Sequence, residues 1–233
     1  MVRALVFALV MMLGVTGAWA DDVADCDQTR NLDLKIRGCS KLIKLNPNDA
    51  ISYNHRGNAY AKKRDYDPAI ADYTKAIKLN PKYAKAYNNR GLAYSKKGDP
   101  DLAIADYTKA IKFNPKNVSA YYSRGLAYGR KGDYDRAIAD YTKAIKLNPK
   151  HANAYTGRGI AYRKKGDYDR AIADYTKAIA LNPKHAFFYN NRGIAYGKKG
   201  DRKQAIADYR KALEIDPSYR RAKDQLKRLG VKP

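Results

Sequence analysis

The sequence predicts an all-α solenoid of stacked antiparallel helix pairs, and three observations carry that reading. Prolines recur at Pro47, Pro81, Pro115, Pro149, Pro183 and Pro217, each 34 residues after the last and each preceded by Asn or Asp. A period of this length marks a repeated helical hairpin. Within each period Gly and Ala alternate with Tyr at helical spacing, the pattern of helices that cross closely with bulky side chains between them. The composition is that of a folded chain, with 45% apolar residues and 21 Tyr in 233 residues, more buried-type bulk than a disordered chain carries.

In chain order, residues 1–20 read as a cleavable secretory leader, with Arg3, an apolar stretch from Ala4 to Val15 and the small-x-small ending Ala18-Trp19-Ala20. A retained membrane anchor is the alternative, but the stretch is short and breaks at Gly14 and Gly17 ahead of Asp21 and Asp22. No cysteine follows Ala20 directly, which argues against lipid attachment there. Export would place the mature chain in the periplasm or outside the cell, an oxidising setting. Residues 21–49 then make a partial N-terminal hairpin, and five complete units follow at 50–83, 84–117, 118–151, 152–185 and 186–219. Residues 220–233 make a C-terminal capping helix and tail, with Ala222, Leu226 and Leu229 on one face.

With the closing proline as position 32, each unit reads Tyr-x-x-Arg-Gly-x-Ala-Tyr, a turn, then Ala-Ile-Ala-Asp-Tyr-x-Lys-Ala and the proline. This resembles the tetratricopeptide repeat family. Gly57, Gly91, Gly125, Gly159 and Gly193 fill the family's glycine position, Ala69, Ala103, Ala137, Ala171 and Ala205 its first alanine, and Ala76, Ala110, Ala144, Ala178 and Ala212 its second. The departure is Arg where the family usually carries Leu, at Arg56, Arg90, Arg124, Arg158 and Arg192. The resemblance implies a right-handed superhelical solenoid whose first helices line a concave groove, and a function in binding.

Elementary physics gives the repeated residues their own reasons. A glycine inside a helix costs about 1 kcal/mol relative to alanine, so five at one position predict a neighbour too close for a side chain. Tyrosines at positions 4, 11 and 24 supply the bulk between small residues. Asp67, ahead of Pro68, is expected to cap its helix. Asp72, Asp106, Asp140, Asp174 and Asp208 are expected to pair with the arginine row in a partly buried ladder, which keeps those arginines out of the binding site.

Counting back from Pro47 in the same register puts Cys26 and Cys39 at the two tyrosine positions that should face each other within a hairpin. A disulfide between them is expected in an exported chain, two free buried thiols being the alternative. Closing a loop of this size would add about 3 kcal/mol.

Units three and four agree at 26 of 34 positions and differ at positions 1, 2, 5, 6, 9, 12, 13 and 29. In the family, positions 2, 5, 9, 12 and 13 line the groove with position 6 beside them, so the framework is copied while the groove varies. Specialisation and drift both produce that pattern. The candidate groove residues are Asn54, Asn58, Asn88, Asn89, Tyr122 and Asn190, with a basic row of Lys62, Lys96, Arg130, Lys164 and Lys198. By the resemblance, the asparagines would hydrogen-bond an extended peptide backbone and the basic row would hold acidic side chains or a terminal carboxylate. Family members that grip the acidic C-termini of cytosolic chaperones use a clamp of Lys, Asn, Asn, Lys and Arg. Asn58 and Asn89 match its asparagines while Asn54, Ser119 and Ser123 replace its cations, so that activity is not expected.

No enzyme, metal centre or cofactor is expected. The acids are 22 Asp and Glu214, and the histidines are His55, His151 and His185, with no metal-ligand spacing among them. Pairs such as Asp133 and Asp135 lack the loop and closing acid of a calcium site. The formal charge of +24 exceeds what solubility requires and would attract polyanions. Nucleic acid is disfavoured, because the tyrosines are assigned to packing and not to base stacking. The expected partner is therefore a protein or peptide segment, acidic or extended. The second reading is a basic adaptor that holds an anionic envelope polymer or lipid surface through its convex face.

Overall fold

The structure, a computed structural model, describes residues 16–232, with side chains from Ala20 onward, so residues 1–15 of the leader expected over residues 1–20 lie outside the described residues. Among the described residues there are thirteen α-helices and no strand. A first compact unit ends at Pro115 and a second begins at Lys116. The first contains α1 (Thr16–Asp27), α2 (Leu32–Leu45), α3 (Ala50–Lys62), α4 (Tyr66–Leu79), α5 (Ala84–Lys97) and α6 (Pro100–Phe113). The second contains α7 (Val118–Arg130), α8 (Tyr134–Leu147), α9 (Ala152–Lys164), α10 (Tyr168–Leu181), α11 (Ala186–Lys199), α12 (Arg202–Ile215) and α13 (Arg220–Arg228). In each unit consecutive helices pair as hairpins, and the second helix of one hairpin packs on the first helix of the next.

Local chemistry sets the helix ends. Asp133 and Asp167 cap α8 and α10 by accepting from the Arg136 and Arg170 backbone N–H groups, 3.1 Å in each case. The cap position of α4 is Asp65, not Asp67 as expected, because that helix begins at Tyr66 and leaves Asp67 in its first turn. The turn inside each of the five complete repeats has one left-handed residue. Gly98 supplies it after α5 with φ 99°, whereas Arg64 carries it after α3 with φ 65°.

The core is built from contacts between small residues and one tyrosine per unit. Tyr73, Tyr107, Tyr141, Tyr175 and Tyr209 are buried, together with the alanines of both repeated positions. A methyl group added to Gly57 would come within 2.8 Å of the Tyr73 ring, so the glycine is there because the ring occupies the space. The tyrosines at positions 4 and 11 have a different task. Tyr87 and Tyr94 flank the Arg90 guanidinium at 5.7 and 5.9 Å, and the same sandwich surrounds Arg124, Arg158 and Arg192.

The arginine row forms the expected ladder. Arg56, Arg90, Arg124, Arg158 and Arg192 each grip the aspartate 16 residues on with two hydrogen bonds of 2.7–2.9 Å. A third nitrogen reaches back to the preceding hairpin: Arg56 to Ser40, Arg90 to Thr74, Arg158 to Thr142 and Arg192 to Thr176. Each of these four arginines thereby joins both helices of its hairpin to the one before. The aspartate bonds hold these guanidinium groups above their ordinary pKa against the opposing effect of burial. A second, exposed ladder joins Lys63 to Asp33, Lys97 to Asp67, Lys165 to Asp135 and Lys199 to Asp169 across consecutive hairpins. It fixes register more than it adds stability, since exposed pairs contribute about 0–1 kcal/mol.

Both ends cover the repeat core. In the N-terminal hairpin Cys26 and Cys39 are fully buried, with Cα atoms 4.6 Å apart and sulfurs at bonding distance. At the other end α13 buries Ala222 and Leu226 against Tyr209 and Ala212.

Candidate functional site: a cavity on the first-helix face

In the first compact unit, the first helices of two successive hairpins diverge around a cavity of about 380 Å³. It is lined by Asn58 and Lys62 of α3, Tyr66 and Tyr73 of α4, Asn89, Leu92 and Lys96 of α5, and Lys35 and His55 at its N-terminal side. Three lysines and no acid face it. The repeat explains why: positions 9 and 13 of one first helix and 6, 9 and 13 of the next lie one turn apart on one face, so Asn58, Lys62, Asn89, Leu92 and Lys96 converge.

The amides in this cavity are oriented. The Tyr73 hydroxyl donates to Asn58 Oδ1 at 2.8 Å, and Asn89 Nδ2 donates to Asn58 Oδ1 at 2.9 Å and to Asn54 Oδ1 at 3.1 Å. With these atoms engaged, the Asn58 amide N–H groups and the Asn89 oxygen are left to offer a donor and an acceptor, the pair a peptide group needs. Burial also pushes the Tyr73 phenol well above its ordinary range, so it stays a neutral donor. Asn54 is 3% exposed and meets a ligand only by holding Asn89.

The cationic side of the cavity includes a residue from the incomplete hairpin. Lys35 donates to the Asp27 carbonyl oxygen at 3.2 Å. Its pKa is lowered first by burial, and further by Lys62, while Asp27 opposes the shift. A partly desolvated ammonium beside a like charge gains from any carboxylate that arrives. His55 Nδ1 lies 2.9 Å from an Asp27 carboxylate oxygen, which ties α3 to α1. Cys26, Asp27 and His55 have their ligand atoms within 4.8 Å of one another, but the Cys26 sulfur faces Cys39, which leaves two groups and no metal set.

The other candidate residues are placed elsewhere. In the second compact unit Arg130 and Lys164 line a smaller cavity of about 230 Å³ with Leu126, Tyr134, Tyr141, Gly157 and Ile160. Tyr122 is half-buried in the same compact unit but does not line this cavity; its ring lies 4.8 Å from His151 and 5.9 Å from Tyr141. Asn88 keeps a buried oxygen with no protein partner, as does Asn190, which is 2% exposed. Neither lines a cavity named above, and Lys198 is exposed away from both. Position 12 is small where these cavities open, with Ala61 lining the first and Gly129 the second. Arg163 takes that position in the following repeat and lies against the Tyr175 hydroxyl.

Sequence reasoning passed over Lys35, Tyr66 and the Tyr73 hydroxyl. Lys35 left a trace, because it stands at the register position where every complete unit carries an alanine such as Ala69. Tyr73 left none, since its ring is a core residue and only its oxygen reaches the cavity.

Among the described residues no helix is long and apolar enough to cross a membrane. Comparison with curated proteins finds no match. Among solved structures, YrrB, described as a tetratricopeptide repeat protein with an unusual peptide-binding site, is 26% identical with a TM-score of 0.71, over 81% of this chain and 97% of its own. MamA is 33% identical with a TM-score of 0.66, over 69% of this chain and 94% of its own. The Cut9–Hcn1 assembly of the APC/C, at 24% identity and a TM-score of 0.70, covers 84% of this chain and 39% of its own and shares the fold alone. Family models described as tetratricopeptide repeat match residues 50–83, 84–117, 122–186 and 186–219, so the chain belongs to the tetratricopeptide repeat family and is a scaffold of the protein-interaction type.

Proposed function

We propose that this protein is a non-catalytic scaffold that binds an extended, acidic peptide segment of a partner on its first-helix face, with the Asn58–Asn89 cavity as the principal contact. The observation that carries the reading is the pairing of two oriented amides with three lysines and no acid in one cavity. Amides read peptide backbone and the lysines select carboxylates. The peptide-binding site stated for YrrB, a relative of similar length, supports a peptide as the ligand class. Export to the periplasm or beyond belongs to the same proposal. It is supported by the leader-like residues 1–20 and by a buried cysteine pair suited to an oxidising compartment.

The test is capture from an envelope extract with purified protein as bait, in low salt and in ~0.5 M salt, where screening shrinks to a few ångströms. Wild type is compared with an Asn58→Ala/Asn89→Ala variant. A discrete protein that survives salt and is lost with the variant is the expected result. Material that disappears with salt but ignores the variant would overturn it. That outcome would favour the second reading, a basic adaptor for an anionic polymer or lipid surface, with exposed lysines such as Lys109, Lys143 and Lys177 on the second helices as its contacts.

A further inference from the structure

The two cavities occupy one register, two repeats apart. Asn58 corresponds to Leu126, Lys62 to Arg130, Tyr66 to Tyr134, Tyr73 to Tyr141, Asn89 to Gly157 and Lys96 to Lys164. The tyrosine walls and the cations at Lys62 and Lys96 are retained, Lys35 and His55 have no counterpart in the second lining, and the amides change at two positions. Where the first cavity has two amides, the second has a leucine and a glycine. The missing side chain at Gly157 is a packing fact: a methyl there would come within 2.7 Å of the Tyr141 ring, which fills the space and presents its face as the cavity floor.

We infer that the second unit's cavity is a subsite for one aliphatic side chain, of leucine size, that lies beside an acidic residue in an extended peptide. The inference rests on the peptide-binding reading and deepens it: the same face recognises different residues in the two compact units. Three observations select this occupant. At about 230 Å³ the cavity is smaller than the about 300–1,000 Å³ that holds a whole small-molecule ligand, and it suits a single side chain. Leu126, Ile160, Tyr134 and Tyr141 supply apolar walls, with no amide to satisfy a polar group. Arg130 and Lys164 are its only charged lining residues, so a neighbouring carboxylate is favoured and a neighbouring cation is rejected.

The test uses two short synthetic peptides, one with leucine between two aspartates and one with asparagine in its place, titrated into isotope-labelled protein. Resonances of Gly157 and Ile160 report the second cavity, and those of Asn58 and Asn89 the first. The expected result is that the leucine peptide shifts the second set with an affinity about tenfold or more above that of the asparagine peptide. A Leu126→Asn/Gly157→Asn variant, which installs the first cavity's residues, abolishes that preference. Because this variant could fail to fold, the reciprocal Asn58→Leu/Asn89→Gly variant serves as the second arm and creates a leucine preference in the first cavity. Equal binding of both peptides at Gly157, or binding confined to Asn58 and Asn89, overturns the subsite and leaves the peptide-binding reading standing. No shift at either cavity overturns both.

Discussion

Arg90 holds Asp106 with two parallel hydrogen bonds, Nε to Oδ2 at 2.7 Å and Nη2 to Oδ1 at 2.8 Å. The aspartate side chain is 7% exposed and the arginine 17%. A leucine at the arginine position would pack the same interface, and this chain instead uses an ion pair that also bonds Thr74 of the previous hairpin. Asp106→Ala should therefore destabilise the protein by about 3 kcal/mol, because the arginine is left desolvated with no counter-charge. Arg90→Leu/Asp106→Ala should lose less than the sum of the two single changes. Urea unfolding of the four proteins in a double-mutant cycle checks this, and simple additivity would remove the pair from the account.

Two positions with opposite glycine logic make a second test. Arg64 sits at φ 65° where the later units have glycine, and nothing in the structure explains the arginine. Arg64→Gly should raise stability by about 0.5–1 kcal/mol by relieving the left-handed strain. Gly57→Ala adds helix propensity worth about 1 kcal/mol, yet should destabilise the protein, because the new methyl meets the Tyr73 ring. Melting curves of both variants report the signs.

The cysteine pair gives a third. Protein recovered from an oxidising compartment should have a mass two hydrogens below that of the reduced chain. Cys26→Ala/Cys39→Ala should lower the stability of the first unit by about 3 kcal/mol. A fully reduced chain of unchanged stability would count against the proposed compartment.

A fourth concerns alkaline pH. Burial pushes Tyr175 and Tyr209 up to about 12 from an ordinary value of 10.0, while Arg163 draws both partway back. Above pH 10 the unfolded chain gives up protons that the folded chain retains, so the folded state binds more protons and stability falls as pH rises from about 10 towards 12. Tyrosinate absorbance and circular dichroism followed together should show the buried tyrosines ionising only as the helices melt. Full ionisation in the folded state would contradict their burial.

Much of this was legible in the sequence because the hairpin is written five times. The proline period, the Gly57 and Ala69 positions and the Arg–Asp rows each recur, so tertiary contacts appear as repeated residues. The candidate cavity was only half legible. Asn58, Asn89, Lys62 and Lys96 follow from register, but burial of Asn54 and Asn190 does not: Asn54 is buried where it accepts from Asn89 of the following hairpin, and Asn190 is 2% exposed. Lys35 and the His55–Asp27 contact come from an incomplete hairpin whose spacing has no second copy to compare.

The central claim is that a partner lies in the first unit's cavity, and a photocrosslinker placed there tests it most directly. Leu92 lines the cavity and is 46% exposed, so a benzophenone amino acid can replace it without disturbing the core. Lys109, exposed on α6, is the control position. Irradiation in the native compartment should yield a discrete adduct from position 92 and none from position 109. Adducts from 109 alone would contradict the account and move the binding surface to the second helices.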